Sequence, residues 1–187
     1  MIWNLIARFL AIPLIARALI WSARYSPYEH IYSDIAQRDL YMLRFWIIKE
    51  RPWLPFAARI HGIIRPDGER DKHDHPAPFR TIILTNGYSE IDIYDKRHMR
   101  LAGDTVKHSA EYFHRIDSLI DDRPTYTLFV YNNWAPRNHW GFLRGDMFGV
   151  VKVPWKKYLD TKHAHQLALR NHEERQRRVT EYGDSSL

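Results

Sequence analysis

KHDHPAPFRTIILTNG, residues 72–87, sets His73 and His75 one residue apart, just ahead of an apolar run that closes on Asn86-Gly87. In an extended segment residues i and i+2 share a face and lie about 6.6 Å apart, so two imidazoles can converge on one cation from adjacent positions. The run after them reads as a strand, and Asn86-Gly87 between it and the alternating YSEIDIYD predicts a tight hairpin that needs positive φ. Spacing alone is a weak signal. Eleven histidines among 187 residues yield about 0.6 such pairs by chance from composition. A second pair, His163 and His165, falls in a helical stretch, where a spacing of two separates the faces, and reads as surface decoration.

Around this stretch the chain has the grammar of a β protein. AARIHGII (57–64), FRTIILTN (79–86), YSEIDIYD (88–95), YFHRIDSLI (112–120), TYTLFVYN (125–132) and HWGFL (139–143) are short runs rich in β-branched and aromatic residues. Turn residues in RPDGERD, LAGD, DDRP and NNWAPRN divide them. Closely spaced strands without intervening helices point to an antiparallel sandwich or barrel. Residues 34–50, DIAQRDLYMLRFWIIKE, read as a helix capped by Ser33 or Asp34, with Leu40, Leu43 and Ile47 at helical spacing and Pro52 and Pro55 beyond its end. Residues 155–180 read as a terminal helix.

A chain of 187 residues with 45% hydrophobic and 14% aromatic content can fill the core of one domain. The absence of cysteine excludes disulfides, thiolate metal sites and a cysteine nucleophile, and fits a cytoplasmic setting. The net charge is +6, and residues 152–178 hold eight lysines and arginines against three acidic residues. Such a tail reads first as a solvated helix, and no specific nucleic-acid binding is expected. The opening stretch, MIWNLIARFLAIPLIARALIWSA, is interrupted by Arg8, Pro13 and Arg17 and lacks a small-residue cleavage site, which argues against a membrane span or signal. It reads as a helix packed on the body or forming a homodimer contact. The alternative is peripheral membrane attachment through Ile2, Trp3, Phe9 and Trp21. Phosphate-binding glycine loops, Gly-x-Ser-x-Gly elbows and zinc-protease helices are absent from the sequence.

The region 57–145 resembles the cupin superfamily of double-stranded β-helix barrels. The first cupin motif runs Gly, His-x-His, three or four residues, Glu, six residues, Gly; here Gly68, His73-Asp74-His75, Arg80 and Gly87 occupy those places. The second runs Gly, five residues, Pro-x-Gly, two residues, His, three residues, Asn; here Gly103, Ser109-Ala110-Glu111 and His114 follow the spacing, with Asp117 and Ser118 where Asn is expected. The resemblance implies a mainly β, jelly-roll barrel over 57–150, an N-terminal helical extension over 1–56 packed on it, and a basic C-terminal helix and tail over 151–187. Arg80 stands in the slot of the carboxylate ligand and cannot ligate a cation.

What remains is a three-histidine set, His73, His75 and His114. Three neutral imidazoles suffice for Fe(II), Zn or Ni, and the set is similar to the thiol dioxygenase branch, which implies Fe(II) first, with Zn, Ni or Mn as alternatives. That likeness implies a mononuclear non-haem iron oxygenase or dioxygenase acting on a small polar substrate. Arg80 would clamp a substrate carboxylate, or else face solvent or pair with Glu90 or Asp92. The alternative function is a non-catalytic barrel that binds a small ligand or partner protein. Among the other candidates, His61 shares a strand face with Arg59 and Ile63 and reads as structural. His98 is a further candidate, His108 reads as exposed in a turn, and His139 as packed beside Trp140. Tyr88, Tyr112, Tyr126 and Tyr131 read as half-buried strand tyrosines, any of which could line the barrel.

Overall fold

Alternation along single strands decides which side chains reach the interior. The computed structural model describes residues 1–33, 39–67, 71–146 and 149–183. Among these residues two helices, α1 (Ile2–Leu10) and α2 (Pro13–Ala23), precede twelve strands and a terminal helix α3 (Trp155–Gly183). One antiparallel sheet takes β1 (Tyr28–Tyr32), β2 (Leu40–Ile48), β3 (Phe56–Ile63), β10 (Thr125–Asn132), β5 (Phe79–Thr85) and β8 (Thr105–His108) in that spatial order. The second takes β12 (Gly149–Pro154), β11 (Gly141–Asp146), β4 (Lys72–His73), β9 (His114–Leu119), β6 (Gly87–Asp92) and β7 (Arg97–Leu101). The result is a jelly-roll of two facing sheets with helices at both ends of the chain.

The outer face of the first sheet carries Phe45, Ile60, Ile82 and Leu84, and the helices cover it through Ala7, Ala16 and Ala23, all three without exposed surface. Alanine at each contact lets the helix axes approach the sheet closely, while Ile6, Leu10, Leu19 and Ile20 fill the flanks. Pro13 opens α2 at the position where its missing N–H is harmless, and the two helices bend by 77° there. No single helix among the described residues is long and apolar enough to cross a membrane. Ile2, Leu5, Phe9, Ile12, Leu14 and Trp21 remain exposed.

Between the sheets, Met42, Ile63, Ile83, Tyr88, Ile116 and Leu119 close one end of the barrel. Ala57, Ala77, Phe79 and Tyr131, with Phe129 against them, form the wall at the other.

Three expectations are corrected. The helix expected over 34–50 is instead strand β2 over Leu40–Ile48, with residues 34–38 outside the described set. Both of its faces carry apolar residues, Leu43, Phe45 and Ile47 toward the helices and Met42 toward the interior, so helical spacing arises without helical structure. The Asn86-Gly87 hairpin is not formed: β5 pairs with β10 and β8, whereas β6 pairs with β7 and β9. Asn86 does take positive φ, 56°, but as a corner between sheets, with its side-chain amide donating to the carbonyls of Ile120 and Arg123 at 2.9 Å each. A Cβ on Gly87 would lie 2.4 Å from the Arg100 carbonyl oxygen, so the corner admits only glycine. Finally, the chain before residue 57 is not wholly helical, since β1 and β2 extend the first sheet beyond β3.

Candidate metal centre

His73 and His114 sit directly opposite one another on β4 and β9, and His75 follows two residues later, its N–H donating to the Ala110 carbonyl at 2.9 Å. The three ring centroids form a triangle with every side 5.2 Å, and one nitrogen from each ring lies within 4.8 Å of the others. Nε2 of His75 is 2.9 Å from Nε2 of His114. Two nitrogens each about 2.1 Å from one cation and roughly at right angles are about 3.0 Å apart. The pair therefore already has the spacing of neighbouring ligands. Asp74 points the other way: fully buried, it accepts from the Gly141 N–H at 2.7 Å, Asn138 Nδ2 at 2.6 Å and Lys152 Nζ at 2.5 Å. That anchor holds the peptide between the two histidines.

Glu90, on β6, has no exposed surface and accepts from His114 Nδ1 at 2.9 Å and from Arg100 Nε and Nη2 at 2.9 and 2.5 Å. Burial would raise its carboxyl, but the hydrogen bond and charge of His114, with Arg100, bring it down to about 2. With its Nδ1 hydrogen-bonded to the Glu90 carboxylate, His114 has its Nε2 turned toward the cluster, the arrangement by which a second carboxylate commonly orients a metal-bound imidazole. His75 is pushed well below the usual histidine range by burial, then by His114 and His73. A neutral, lone-pair-bearing ring is what a cation requires. The donor set thus fits a divalent metal.

A cupin 2 conserved barrel domain protein from Rhodopseudomonas palustris matches 65% of this chain and 80% of its own length, at TM-score 0.51 and 15% identity. The chain has the cupin fold. DMSP lyase DddQ from Ruegeria pomeroyi DSS-3 matches at TM-score 0.48 and 19% identity over 64% of this chain. FeII HppE matches at TM-score 0.48 and 9% identity over 58% of it. The matches span 62% and 57% of those two proteins. No protein-family model and no curated protein matches the sequence.

Within this barrel the β5 residue that faces the histidines is Phe79, not Arg80. Counting three residues rather than four from His75 reaches Phe79, whose ring lies 4.2 Å from that of His75. Arg80 alternates to the opposite face of β5 with Ile82 and Leu84, where it donates to Thr105 Oγ1 at 3.2 Å and lies 4.6 Å from the Trp3 ring. The carboxylate clamp expected of Arg80 is therefore overturned, because strand period two sends it under helix α1. Nor does Arg80 meet Glu90 or Asp92: Glu90 pairs with Arg100, and Asp92 with His98 at 2.8 Å.

His108 is buried, not exposed as its turn-like context suggested, and its ring stacks on Tyr112 at 3.8 Å. Burial lowers it to about 4, although Glu90 pulls the other way. His61 is buried and stacks on Phe129 at 4.9 Å, as a structural histidine would, yet it also lines the cavity. That cavity, of about 510 Å³, is shared by His73, His75, His114, Phe79, Phe129 and Phe142. His163, expected to be surface decoration, joins its rim with Leu159 and Lys162 of α3. Tyr88 and Tyr131 line it too, whereas Tyr126 packs outward beneath the helices. His139 is exposed. Sequence reasoning missed Glu90 and Phe79, for which the signals were a carboxylate in a strand buried on both faces and the shorter of two allowed motif spacings.

Proposed function

We propose that the protein is a mononuclear metal-dependent cupin enzyme, a non-haem Fe(II) oxygenase or dioxygenase acting on a small polar substrate inside the barrel, with Zn, Ni or Mn as the alternative metals. The reading rests on one observation: three imidazoles from β4, the segment after it and β9 converge at 5.2 Å centroid spacing on a cavity wall. His73, His75 and His114 would hold the ion. A bound iron would supply redox chemistry and open coordination positions that side chains lack.

The chain's own residues shape what reaches the ion. Glu90 keeps His114 in one tautomer and orientation. Phe79, stacked on Phe129 at 4.6 Å, replaces a fourth ligand with an apolar face and so leaves coordination positions unfilled by protein. Phe142, covered by Tyr158 of α3 at 4.0 Å, limits water at the His73 side.

The test is metal analysis of the protein purified without added metal, beside His73→Ala and His114→Ala variants, followed by oxygen uptake with a panel of small acids and thiols. Stoichiometric metal in the wild type and its loss in both variants are expected; equal metal in all three would end the proposal.

A second reading, peripheral attachment to an anionic lipid surface, is favoured by the exposed Ile2, Leu5, Phe9, Leu14 and Trp21 on two helices, and Ile12 between them, where the helices also carry Arg8 and Arg17 and no acidic residue. Flotation with anionic liposomes of the intact chain, against a Leu5→Ser/Phe9→Ser variant, tests it. Equal flotation of the two would remove this reading.

A further inference from the structure

Across the cavity from the histidines, the first sheet presents a basic wall. Register pairs Arg44 with His61 and Trp46 with Arg59, so both arginines and His61 project from the same inner face on adjacent strands. Their surroundings leave them short of partners. Among the described residues, Arg44 pairs with Glu29 alone, at 3.2 Å, a side chain half exposed on the edge strand. Arg59 donates to the Tyr131 hydroxyl at 2.9 Å and stands 3.9 Å from Glu50. Glu50 is already engaged by Tyr131 and, at 3.2 Å, by Arg137. Nε of each arginine is buried with no hydrogen-bond partner among the described residues, and so is Nε2 of His61. Buried donors of this kind are normally satisfied.

The imbalance extends to the whole cavity. Among the described residues, Arg44, Arg59 and Arg137 line it against Glu50 and Asp67, and Asp67 is taken up by Tyr41 and by the Ile116 N–H at 2.7 Å. Arg59 is also preorganised, since its guanidinium lies 3.7 Å over the Trp46 ring, which orients the planar fork before any ligand arrives. One ring, Phe129, spans the distance from this wall to the metal site, 4.9 Å from His61 and 6.0 Å from His75.

We propose that Arg44 and Arg59, with His61 between them, form an oxyanion subsite that holds the carboxylate or phosphate group of a small organic acid, with the rest of the molecule lying over Phe129 toward the histidines. The reach toward the metal rests on the function proposed above, whereas oxyanion binding does not. Two guanidinium forks match the geometry of either group and would satisfy donors that the protein leaves open.

Calorimetric titration of the purified protein with inorganic phosphate and, separately, with succinate tests the subsite and distinguishes the two groups. Wild-type protein is expected to bind at least one, more weakly at high salt. Arg59→Met and Arg44→Met should each weaken it about tenfold or more. Arg80→Met, on the opposite face of the sheet, should bind as wild type, and so should Arg59→Lys if charge alone sufficed; a loss in Arg59→Lys supports the fork. His73→Ala should lose metal yet keep oxyanion binding, which separates a failure here from a failure of the metal reading. Absence of binding by wild type to both probes, or unchanged binding in Arg44→Met and Arg59→Met, overturns the proposal.

Discussion

Glu90 accepts the Nδ1 hydrogen of His114 at 2.9 Å while pairing with Arg100 on its other oxygen, with no surface of its own exposed. The carboxylate joins the metal site to the sheet edge at β7. Glu90→Gln keeps the shape but loses the charge, so metal affinity should fall about 10- to 100-fold. Arg100 would also be left without its counter-charge, at about 1–3 kcal/mol of stability. Metal titration and a denaturant melt read the two effects, and unaltered affinity would show that Glu90 serves only the fold.

Phe79 lies beside His75, ring to ring at 4.2 Å, and under the proposed function it stands where a fourth ligand would be. Phe79→Glu should therefore lower the melting temperature of metal-free protein by burying a carboxylate, yet bind metal more tightly than wild type. Metal-induced stabilisation, compared between the two proteins, is the measurement. A smaller metal-induced shift in the variant would mean that this position does not face the ion.

Asp74 anchors the segment between the two histidines through Asn138, Gly141 and Lys152. Asp74→Ala removes three hydrogen bonds and should cost about 2–4 kcal/mol, with the Lys152 ammonium partly rescued by solvent. Because His73 and His75 flank it, metal content should drop as well.

Gly87→Ala would drive a Cβ to within 2.4 Å of the Arg100 carbonyl oxygen. A backbone clash cannot be relieved by a rotamer change, and a loss of about 2–3 kcal/mol is expected. Equilibrium unfolding in urea measures it.

His61 is pushed well below the ordinary histidine value by burial, then by the charges of Arg44 and Arg59. Its folded-state affinity for protons is thus lower than in the unfolded chain, so stability present above about pH 6.5 is lost as pH falls, with a limiting slope of about 1.4 kcal/mol per pH unit. His61→Gln should flatten the fall between pH 6.5 and 5. The metal ligands are unchanged in this variant, which keeps their own titration common to both proteins.

Local patterning made several parts of the molecule legible in the sequence. The run TYTLFVYN matches β10 residue for residue, and the terminal helix begins where Pro154 ends β12. His73 and His75 could be placed on one face because a period of two is local, and His114 entered through the spacing of a second motif. Residues 40–48 could not be read in this way, since a strand covered on one face by helices and on the other by a core carries apolar residues on both faces, and a single charged residue, Arg44, does not make a period of two. Asn86-Gly87 correctly announced positive φ, but whether the next strand folds back or crosses to the facing sheet depends on partners far along the chain. Arg80 and Phe79 differ by a single step, and only pairing with β10 and β8 settled which of them faces inward. Sequence thus determined the β character, the helix at the chain's end and the histidine motif. The tertiary structure decided the face of each side chain, and with it a buried carboxylate behind His114, a phenyl ring beside His75 and two arginines on the opposite wall, because strand pairing over long separations sets the register on which those faces depend.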